Sequence, residues 1–462
     1  MEVVPDASGP GLVIGVADGG ETRVVARGMA DLDHGIPLAS DTVFHVASVS
    51  KQFTAGLVVH LGIPFDDPVS RWLPWFPFPS IRVSHLVGHT SGLRDHWSLF
   101  ELGGRRMEDV LTTADAMRTL ATQRSLNFPP GSWEGYSNTN YTLLALLVSA
   151  AAGSPFADVA GEWLATLGLH DTRVVGSYRS VVPRRASSYS SAGRVALSYE
   201  VVGSTSLHTT APDLLRWLSL DHFRATDPLP ADLAGPETYG LGVRHSPSGT
   251  RYHAGADAGF RTYVARDPAR DISVVVLANL GSIDVEAVAH RMLGVTPSIS
   301  DGGEPPSGRF LDPRHGLLID LHALRGGGLG FDGAHGPMRL APAGPGRWAG
   351  PMASVVADGG VAVSDDPVRA PHRWRRLDPA GPPLTPGRYW CDEIEAHLLV
   401  TAGGEVALPG GAAHPASHAG EGWYAVPVPD REIGRLTLRV VSEDAFRCSV
   451  HGAQDLLYRR TG

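Results

Sequence analysis

The sequence predicts an α/β protein: an antiparallel sheet that carries a helical insert, followed by an all-β region of barrel-like units. Residues 11–27 and 240–278 contain β-prone runs, whereas residues 68–220 between them are mostly helical in pattern. Strands at both ends of a helical stretch imply that the first and last strands of this part meet in one sheet. Residues 309–462 form short alternating segments with frequent Gly and Pro and little helical periodicity, which is typical of small β-barrels.

The elements follow one another in a simple order. The Asp-Gly-Gly turn at 18–20 separates two β-prone runs and predicts a hairpin. From Ser48 onward the pattern is helical, because Phe53, Leu57 and Val58 share one apolar face. Four further strands and a last helix are predicted after the insert, at 240–245, 250–254, 261–265, 271–278 and 283–293.

The length of the chain, 462 residues, exceeds what one ordinary core supports, so several domains are expected. A Pro-, Gly- and Ser-rich stretch, 299–308, is the best linker candidate. We therefore predict a first domain at 1–298 and two barrel-like domains at 309–380 and 381–462.

Composition limits the classes of partner. The chain is 43% hydrophobic and 19% charged, which is typical of a globular protein, and its net charge of −9 argues against nucleic acid. No basic, signal-like segment precedes an apolar run at the N-terminus, and the longest apolar stretch, 143–152, is too short for a membrane span. A cytoplasmic location without a membrane partner is expected; the oligomeric state stays open.

Cys391 and Cys448 provide neither a disulfide framework nor a metal cluster, so no metal and no cofactor are expected.

Lys51 is the only lysine in the chain, and the other 38 of the 39 basic residues are arginines. Arginine effectively never loses its proton, whereas a lysine can change its pKa and act as a base. Ser48 lies three residues earlier, which places its hydroxyl on the same helix face and in the first helical turn. The pair predicts a serine nucleophile with a lysine base. By itself, it also fits an ordinary helix start with a solvated lysine.

Two further patterns carry polar groups of the kind that a catalytic site uses. In an extended loop, Tyr136 and Asn138 would point the same way, so a phenol that moves protons and an amide that holds a carbonyl would face one site. His253 and Gly255 lie on a predicted strand whose free N–H groups could complete an oxyanion hole. Taken alone, the Tyr136 and Asn138 pattern also fits a surface turn. Taken alone, His253 also fits a buried histidine whose hydrogen bonds are made within the core.

Taken together, the three patterns resemble those of the penicillin-recognising serine hydrolases. That family includes class C β-lactamases, D-aminopeptidases and related carboxylesterases and acyltransferases. The resemblance covers roughly residues 10–295 and implies the fold of β-lactamases and penicillin-binding proteins. Residues 384–398 resemble the β-barrel, lipocalin-like domains appended to D-aminopeptidase-like members.

The resemblance also implies a role for each matching residue. Ser48 would be the acylated nucleophile, while Lys51 and Tyr136 would share its activation and deliver a proton to the leaving group. Asn138 would bind the acyl side of the substrate. The N–H groups of Ser48 and Ala256 would form the oxyanion hole.

His253 departs from the family pattern, because β-lactamases and carboxypeptidases usually have a lysine at this position. A lysine offers a permanent cation to a substrate carboxylate, whereas a neutral imidazole does not. Amides or esters without that carboxylate are therefore favoured over β-lactams.

Three functions follow from these patterns. The first is a hydrolase that acts on a small amide, peptide or ester through an acyl-enzyme at Ser48. The second is an acyltransferase that passes the same acyl group to an amine or alcohol acceptor. The third is an inactive binding module, against which the complete Ser, Lys, Tyr and Asn set argues.

Overall fold

The computed structural model describes ten stretches of the chain: 7–220, 238–295, 303–312, 315–324, 328–333, 336–350, 353–357, 360–364, 372–377 and 382–461. Residues 299–302 of the predicted linker lie outside these stretches. The chain forms two compact units, each made of several segments. Unit 1 comprises Met1–Ser91, Met107–Asp115 and Asn138–Thr296, and unit 2 comprises Gly92–Arg106, Ala116–Ser137 and Pro297–Gly462.

The helices lie mostly between two groups of strands, where the sequence predicts a helical insert. A short 3-10 turn, Ala47–Val49, leads into the first of them. In chain order the helices are α1 Ser50–His60, α2 Val69–Trp72, α3 Val83–Val87, α4 His96–Leu102, α5 Thr113–Ala121, α6 Asn138–Ala152, α7 Phe156–Thr166, α8 Ala211–Ser219 and α9 Val285–Met292.

The strands that precede residue 296 are mostly short, except those of the central sheet. They are β1 Leu12–Asp18, β2 Glu21–Arg27, β3 Met29–Asp31, β4 Ile36–Pro37, β5 Phe44–His45, β6 Arg173–Val174, β7 Ser188–Ser190, β8 Gly193–Val195, β9 Leu207–Thr209, β10 Thr238–Gly240, β11 Val243–His245, β12 Arg251–Asp257, β13 Phe260–Asp267 and β14 Ile272–Ala278.

Unit 1 is built on a seven-stranded antiparallel sheet in the order β10-β11-β12-β13-β14-β1-β2. Strands β1 and β14 pair from Leu12 opposite Ala278 onward, which confirms that the first and last strands meet. Helix α9 covers one face of the sheet, and Leu215 of α8 covers the other, 3.0 Å from the point where a Cβ on Gly15 would lie. Because both faces are covered, β14 is buried along almost its whole length.

Helix α6 forms the centre of the insert and packs against α1. Its apolar residues, among them Leu143, Leu144 and Leu147, are buried, as expected of a helix that is hydrophobic all round. In the described part of the chain no single helix is long and apolar enough to cross a membrane; α6 and α7 pass that test only as a pair bent by 81°.

The C-terminal strands of unit 2 form two sheets. Strands β15 to β22 form a closed barrel whose core contains Phe310, Phe331, Trp348 and Trp374. The following strands form a nine-stranded sheet in the order β26-β25-β24-β23-β31-β30-β29-β28-β27. These sheets confirm the predicted all-β region. The strands are β15 Gly308–Asp312, β16 Leu317–Ala323, β17 Leu329–Gly333, β18 Gly336–Gly344, β19 Arg347–Ala349, β20 Ser354–Ala357, β21 Val361–Ser364, β22 His372–Leu377, β23 Gly387–Cys391, β24 Ala396–Val400, β25 Glu405–Ala407, β26 Ala413–Pro415, β27 Ser417–Gly420, β28 Trp423–Pro427, β29 Arg435–Ser442, β30 Ala445–Val450 and β31 Ala453–Thr461.

The segments 92–106 and 116–137 belong to unit 2 although they lie early in the chain. Arg94 is fully buried there and forms an ion pair of 2.7 Å with Glu393. It also donates to the carbonyl of Gln454, at 3.1 Å from Nε and 2.9 Å from Nη2. Arg94 therefore ties the early segments to the nine-stranded sheet.

Replacing Glu393 by alanine is expected to lower the free energy of unfolding by about 3–5 kcal/mol, because Arg94 would keep a buried charge without its carboxylate. Urea denaturation followed by circular dichroism measures the loss. Glu421→Ala is the control, because its ion pair with Arg375 is exposed and should leave stability nearly unchanged. Equal losses in the two variants would contradict the importance of the buried pair.

Candidate active site

Ser48 lies in the 3-10 turn between β5 and α1, two residues before the helix proper. The residue before it, Ala47, has φ 49°, in the left-handed region that residues other than glycine seldom adopt. Backbone hydrogen bonds hold this turn, since the N–H of Val46 donates to Leu207 at 3.0 Å and that of Val49 donates to Val46 at 3.1 Å. The surroundings thus keep Ser48 at a sharp, uncommon turn of the chain.

Lys51 is fully buried, and oxygens of Ser48, Asn138 and Ser204 are among the atoms that its Nζ contacts. Nζ is 3.0 Å from Oγ of Ser48, 2.8 Å from Oδ1 of Asn138 and 2.8 Å from the carbonyl oxygen of Ser204. The lone pair of a neutral amine can accept a proton, and Nζ lies within hydrogen-bond distance of the Ser48 hydroxyl. This arrangement suits proton removal from the serine.

Asn138 is the first residue of α6, so the prediction of an extended loop at this position is wrong. The carboxamide is held by the first turn of a buried helix instead. On the same turn, Asn140 donates to Nδ1 of His89 at 2.9 Å and accepts from Ser91 at 2.6 Å. Tyr136 precedes α6 and belongs to the segment 116–137 of unit 2. Its catalytic role stays a prediction.

Strand β12 runs beside the nucleophile turn. In the described residues β11 pairs with β12 at positions 251 and 252, so the edge from His253 onward is not paired with β11. A Cβ on Gly255 would lie 2.5 Å from the carbonyl oxygen of Val46 and 3.1 Å from Cβ of Ala47. Glycine therefore allows β12 to approach the backbone just before Ser48, which brings the neighbouring Ala256 to this site.

Gly255→Ala is expected to destabilise the chain by about 1–3 kcal/mol and to lower the rate of hydrolysis, since the added methyl would push β12 away from the nucleophile turn. Thermal denaturation and a rate assay measure the two effects. Gly281→Ala is the matched control, because a Cβ there lies 3.6 Å from its nearest neighbour. Equal stability and rates in the two variants would contradict the close approach at Gly255.

The side chain of His253 is buried and both of its ring nitrogens have partners. Nδ1 lies 2.5 Å from the carbonyl oxygen of Ala254 and therefore carries the proton, whereas Nε2 lies 3.0 Å from the hydroxyl of Tyr239 and accepts. Burial, followed by the positive charge of Arg244, holds the pKa of His253 well below its usual value. The ring is neutral and contributes no cation for a substrate carboxylate.

His89 is a second buried imidazole near Lys51, and the sequence patterns did not single it out as a site residue. Burial holds the pKa of His89 well below its usual value. Its ring packs 4.6 Å from that of Tyr239. No sequence pattern pointed to His89 or to the Ser204 carbonyl near Lys51. A buried histidine is common, and a backbone carbonyl does not depend on the residue type.

In the residues that the structure describes, no group of three or more His, Cys, Asp or Glu side chains is arranged to hold a metal ion.

Comparison with known proteins gives the family. The family model described as Beta-lactamase matches residues 2–295. A D-aminopeptidase of Cereibacter sphaeroides is 28% identical over 428 residues, covering 85% of this chain and 82% of that protein. A D-aminopeptidase of Brucella anthropi is 27% identical over 429 residues, covering 86% and 82%.

Solved structures of other proteins have a fold similar to that of this chain. A penicillin binding protein from Bacillus halodurans superposes with a TM-score of 0.53 at 24% identity, covering 61% of this chain and 94% of that one. A D-amino acid amidase from Ochrobactrum anthropi SV3 gives 0.52 at 23%, covering 62% and 93%. With its Ser48 and Lys51 geometry, the chain therefore belongs to the beta-lactamase family and is a serine hydrolase of that family.

Proposed function

We propose that this enzyme hydrolyses small amides of amino acids through an acyl-enzyme at Ser48, with D-aminoacyl amides as the preferred class. The 3.0 Å contact between Nζ of the buried Lys51 and Oγ of Ser48 carries the proposal, because it places this amine within reach of the proton of Ser48. The substrate class is suggested by the relatives, which are named D-aminopeptidase, and by the fold of a D-amino acid amidase.

The reaction has two halves. Oγ of Ser48 attacks the amide carbon while its proton passes to Nζ of Lys51, and the carbonyl oxygen becomes an oxyanion beside the N–H groups of Ser48 and Ala256. The proton on Lys51 then passes to the leaving nitrogen, the C–N bond breaks, the amine leaves and Lys51 is neutral again. Water attacks the acyl-enzyme while Lys51 takes its proton, and return of that proton to Oγ of Ser48 frees the acid and restores the enzyme.

The neutral ring of His253 supports substrates that lack a carboxylate beside the scissile bond. Both of its nitrogens are occupied within the protein, so it provides no charge to a penicillin-like carboxylate. β-Lactams should therefore be poor substrates compared with uncharged amides.

A substrate panel tests this proposal. D- and L-aminoacyl p-nitroanilides, short-chain p-nitrophenyl esters and nitrocefin would be compared by kcat/KM. We expect the D-aminoacyl amides to react best and nitrocefin to react at least about 100-fold more slowly. Faster reaction of nitrocefin would contradict the proposal.

Acyl transfer is distinguished in the same assay by adding an amine acceptor. Free acid as the main product supports hydrolysis, whereas a new amide as the main product would favour the acyltransferase alternative. The products can be identified by mass spectrometry.

A further inference from the structure

A buried polar network lies directly behind the nucleophile turn. His45, three residues before Ser48, has a side chain that is 1% exposed, and its Nε2 lies 3.2 Å from Oδ2 of Asp257, which is 13% exposed. The hydroxyl of Thr205 donates to the same Oδ2 at 2.8 Å and lies 3.1 Å from Nε2 of His45. The three side chains thus form a closed triangle of polar contacts.

Each corner of the triangle is fixed to a different part of the site. His45 is the last residue of β5, which leads into the turn that carries Ser48. Asp257 is the last residue of β12 and follows Ala256 directly. Thr205 follows Ser204, whose carbonyl accepts from Lys51. The network therefore connects the three backbone segments that carry the predicted oxyanion N–H groups and the support of the lysine.

The network stabilises the ionised form of Asp257. Burial alone would raise the pKa of the Asp257 carboxyl, but hydrogen bonds from His45, Tyr199 and Thr205 hold that pKa below its usual value. His208, whose ring centre is 5.1 Å from that of His45, has a pKa well below its usual value because of burial. The His45 imidazole is a hydrogen-bonding partner of the Asp257 carboxylate.

A buried carboxylate is costly unless it is hydrogen-bonded, so Asp257 favours the arrangement in which both His45 and Thr205 contact it. The network therefore provides a fixed geometry, because moving one partner away would leave a buried polar group without its hydrogen bond. Here the fixed separation is that between the segment before Ser48 and the segment after Ala256. Two oxyanion donors must sit about 2.7–3.1 Å from one developing oxyanion, so a small change in this separation matters.

We propose that the His45–Asp257 pair, held by Thr205, is a positioning device that sets the separation of the two oxyanion-hole N–H groups, those of Ser48 and Ala256. The inference rests on the proposed function, because it assumes an oxyanion that forms at Ser48. None of the three side chains is assigned contact with the substrate. Their effect is exerted through the backbone of the nucleophile turn and of β12.

The test uses two substitutions that break the pair, His45→Gln and Asp257→Asn. We expect kcat for an aminoacyl p-nitroanilide to fall about 10- to 100-fold, as for a donor displaced by a fraction of an ångström to 1 Å, while KM stays within about threefold. The affinity for a boronic acid that forms a tetrahedral adduct on Ser48 should fall in parallel with kcat. The double variant should lose no more than the worse single variant, because the two residues act as one unit.

A gentler pair of variants at Thr205 covers the case in which His45→Gln and Asp257→Asn do not fold. Thr205→Val removes the hydroxyl at constant shape, whereas Thr205→Ser keeps it, so only the valine variant should lose kcat and boronate affinity, by about 3- to 10-fold. His290→Gln is the control for loss of a histidine near a carboxylate, since its Nε2 lies 3.8 Å from Glu286 on α9. It should leave kcat and boronate affinity unchanged.

The outcomes separate this inference from the proposed function. Labelling of Ser48 by a fluorophosphonate, with turnover of the anilide, establishes the function in the wild type. Folded Thr205→Val that matches Thr205→Ser in kcat and boronate affinity would overturn the positioning role alone. A rise in KM by the same factor as the fall in kcat would also overturn the positioning role. That pattern indicates a general loss of structure. A wild type that is neither labelled nor active would contradict both the positioning role and the proposed function.

Discussion

Lys51→Arg is expected to abolish acylation of Ser48 while the chain still folds. The guanidinium can donate to Asn138 and Ser204, but it does not give up a proton at accessible pH, so it has no lone pair to take the proton of the serine. We expect the acylation rate to fall by about 10³-fold. Intact-mass measurement of the acyl-enzyme formed with a p-nitrophenyl ester, taken as a function of time, gives the rate.

Arginine is larger than lysine and the site is fully buried, so a second variant controls for packing. Lys51→Ala should be equally inactive, and small primary amines added to it should restore part of the rate in proportion to the concentration of the unprotonated amine. Circular dichroism establishes that both variants fold. Acylation of Lys51→Arg within about tenfold of the wild type would refute the base role.

Ser48→Ala should remove the covalent adduct completely and lower kcat/KM by at least about 10⁴-fold, because no other group can replace the nucleophile. A fluorophosphonate adduct, seen as a mass increase in the intact wild type, should be absent from the variant. Its thermal stability should be close to that of the wild type.

Ser50→Ala is the matched control for Ser48→Ala. Ser50 is also a buried serine near the start of α1, but its hydroxyl donates to the carbonyl of Ala47 at 2.6 Å and accepts from the N–H of Leu207 at 3.0 Å. Its removal should cost about 1–3 kcal/mol of stability and leave the adduct in place. An adduct that persists in Ser48→Ala and disappears in Ser50→Ala would reassign the nucleophile.

The parts of the site that were predictable are those that local chain geometry determines. A spacing of three residues at a helix start places Ser48 and Lys51 within reach of each other, whatever the rest of the chain does. The strand that carries His253 was predictable from its β-prone run, and so was the central sheet, because strands at both ends of the insert have to pair.

The parts that were missed depend on contacts between distant segments. His45 and Asp257 are 212 positions apart, and neither residue type stands out in its local sequence. The grouping of 92–106 and 116–137 with the C-terminal strands depends on contacts such as that of Asn127 with Gln454, 327 positions away. At Asn138 the error was local, because a polar triplet before an apolar run fits both a loop and the first turn of a helix.

The burial of Lys51 has a practical consequence for chemical labelling. Since this is the one lysine in the sequence and it is fully buried, amine-directed reagents such as succinimidyl esters meet no accessible lysine side chain on the folded enzyme. Such a reagent should couple to Lys51 only when the surrounding structure opens. The rate of this slow coupling would therefore report how often the interior around Lys51 is exposed.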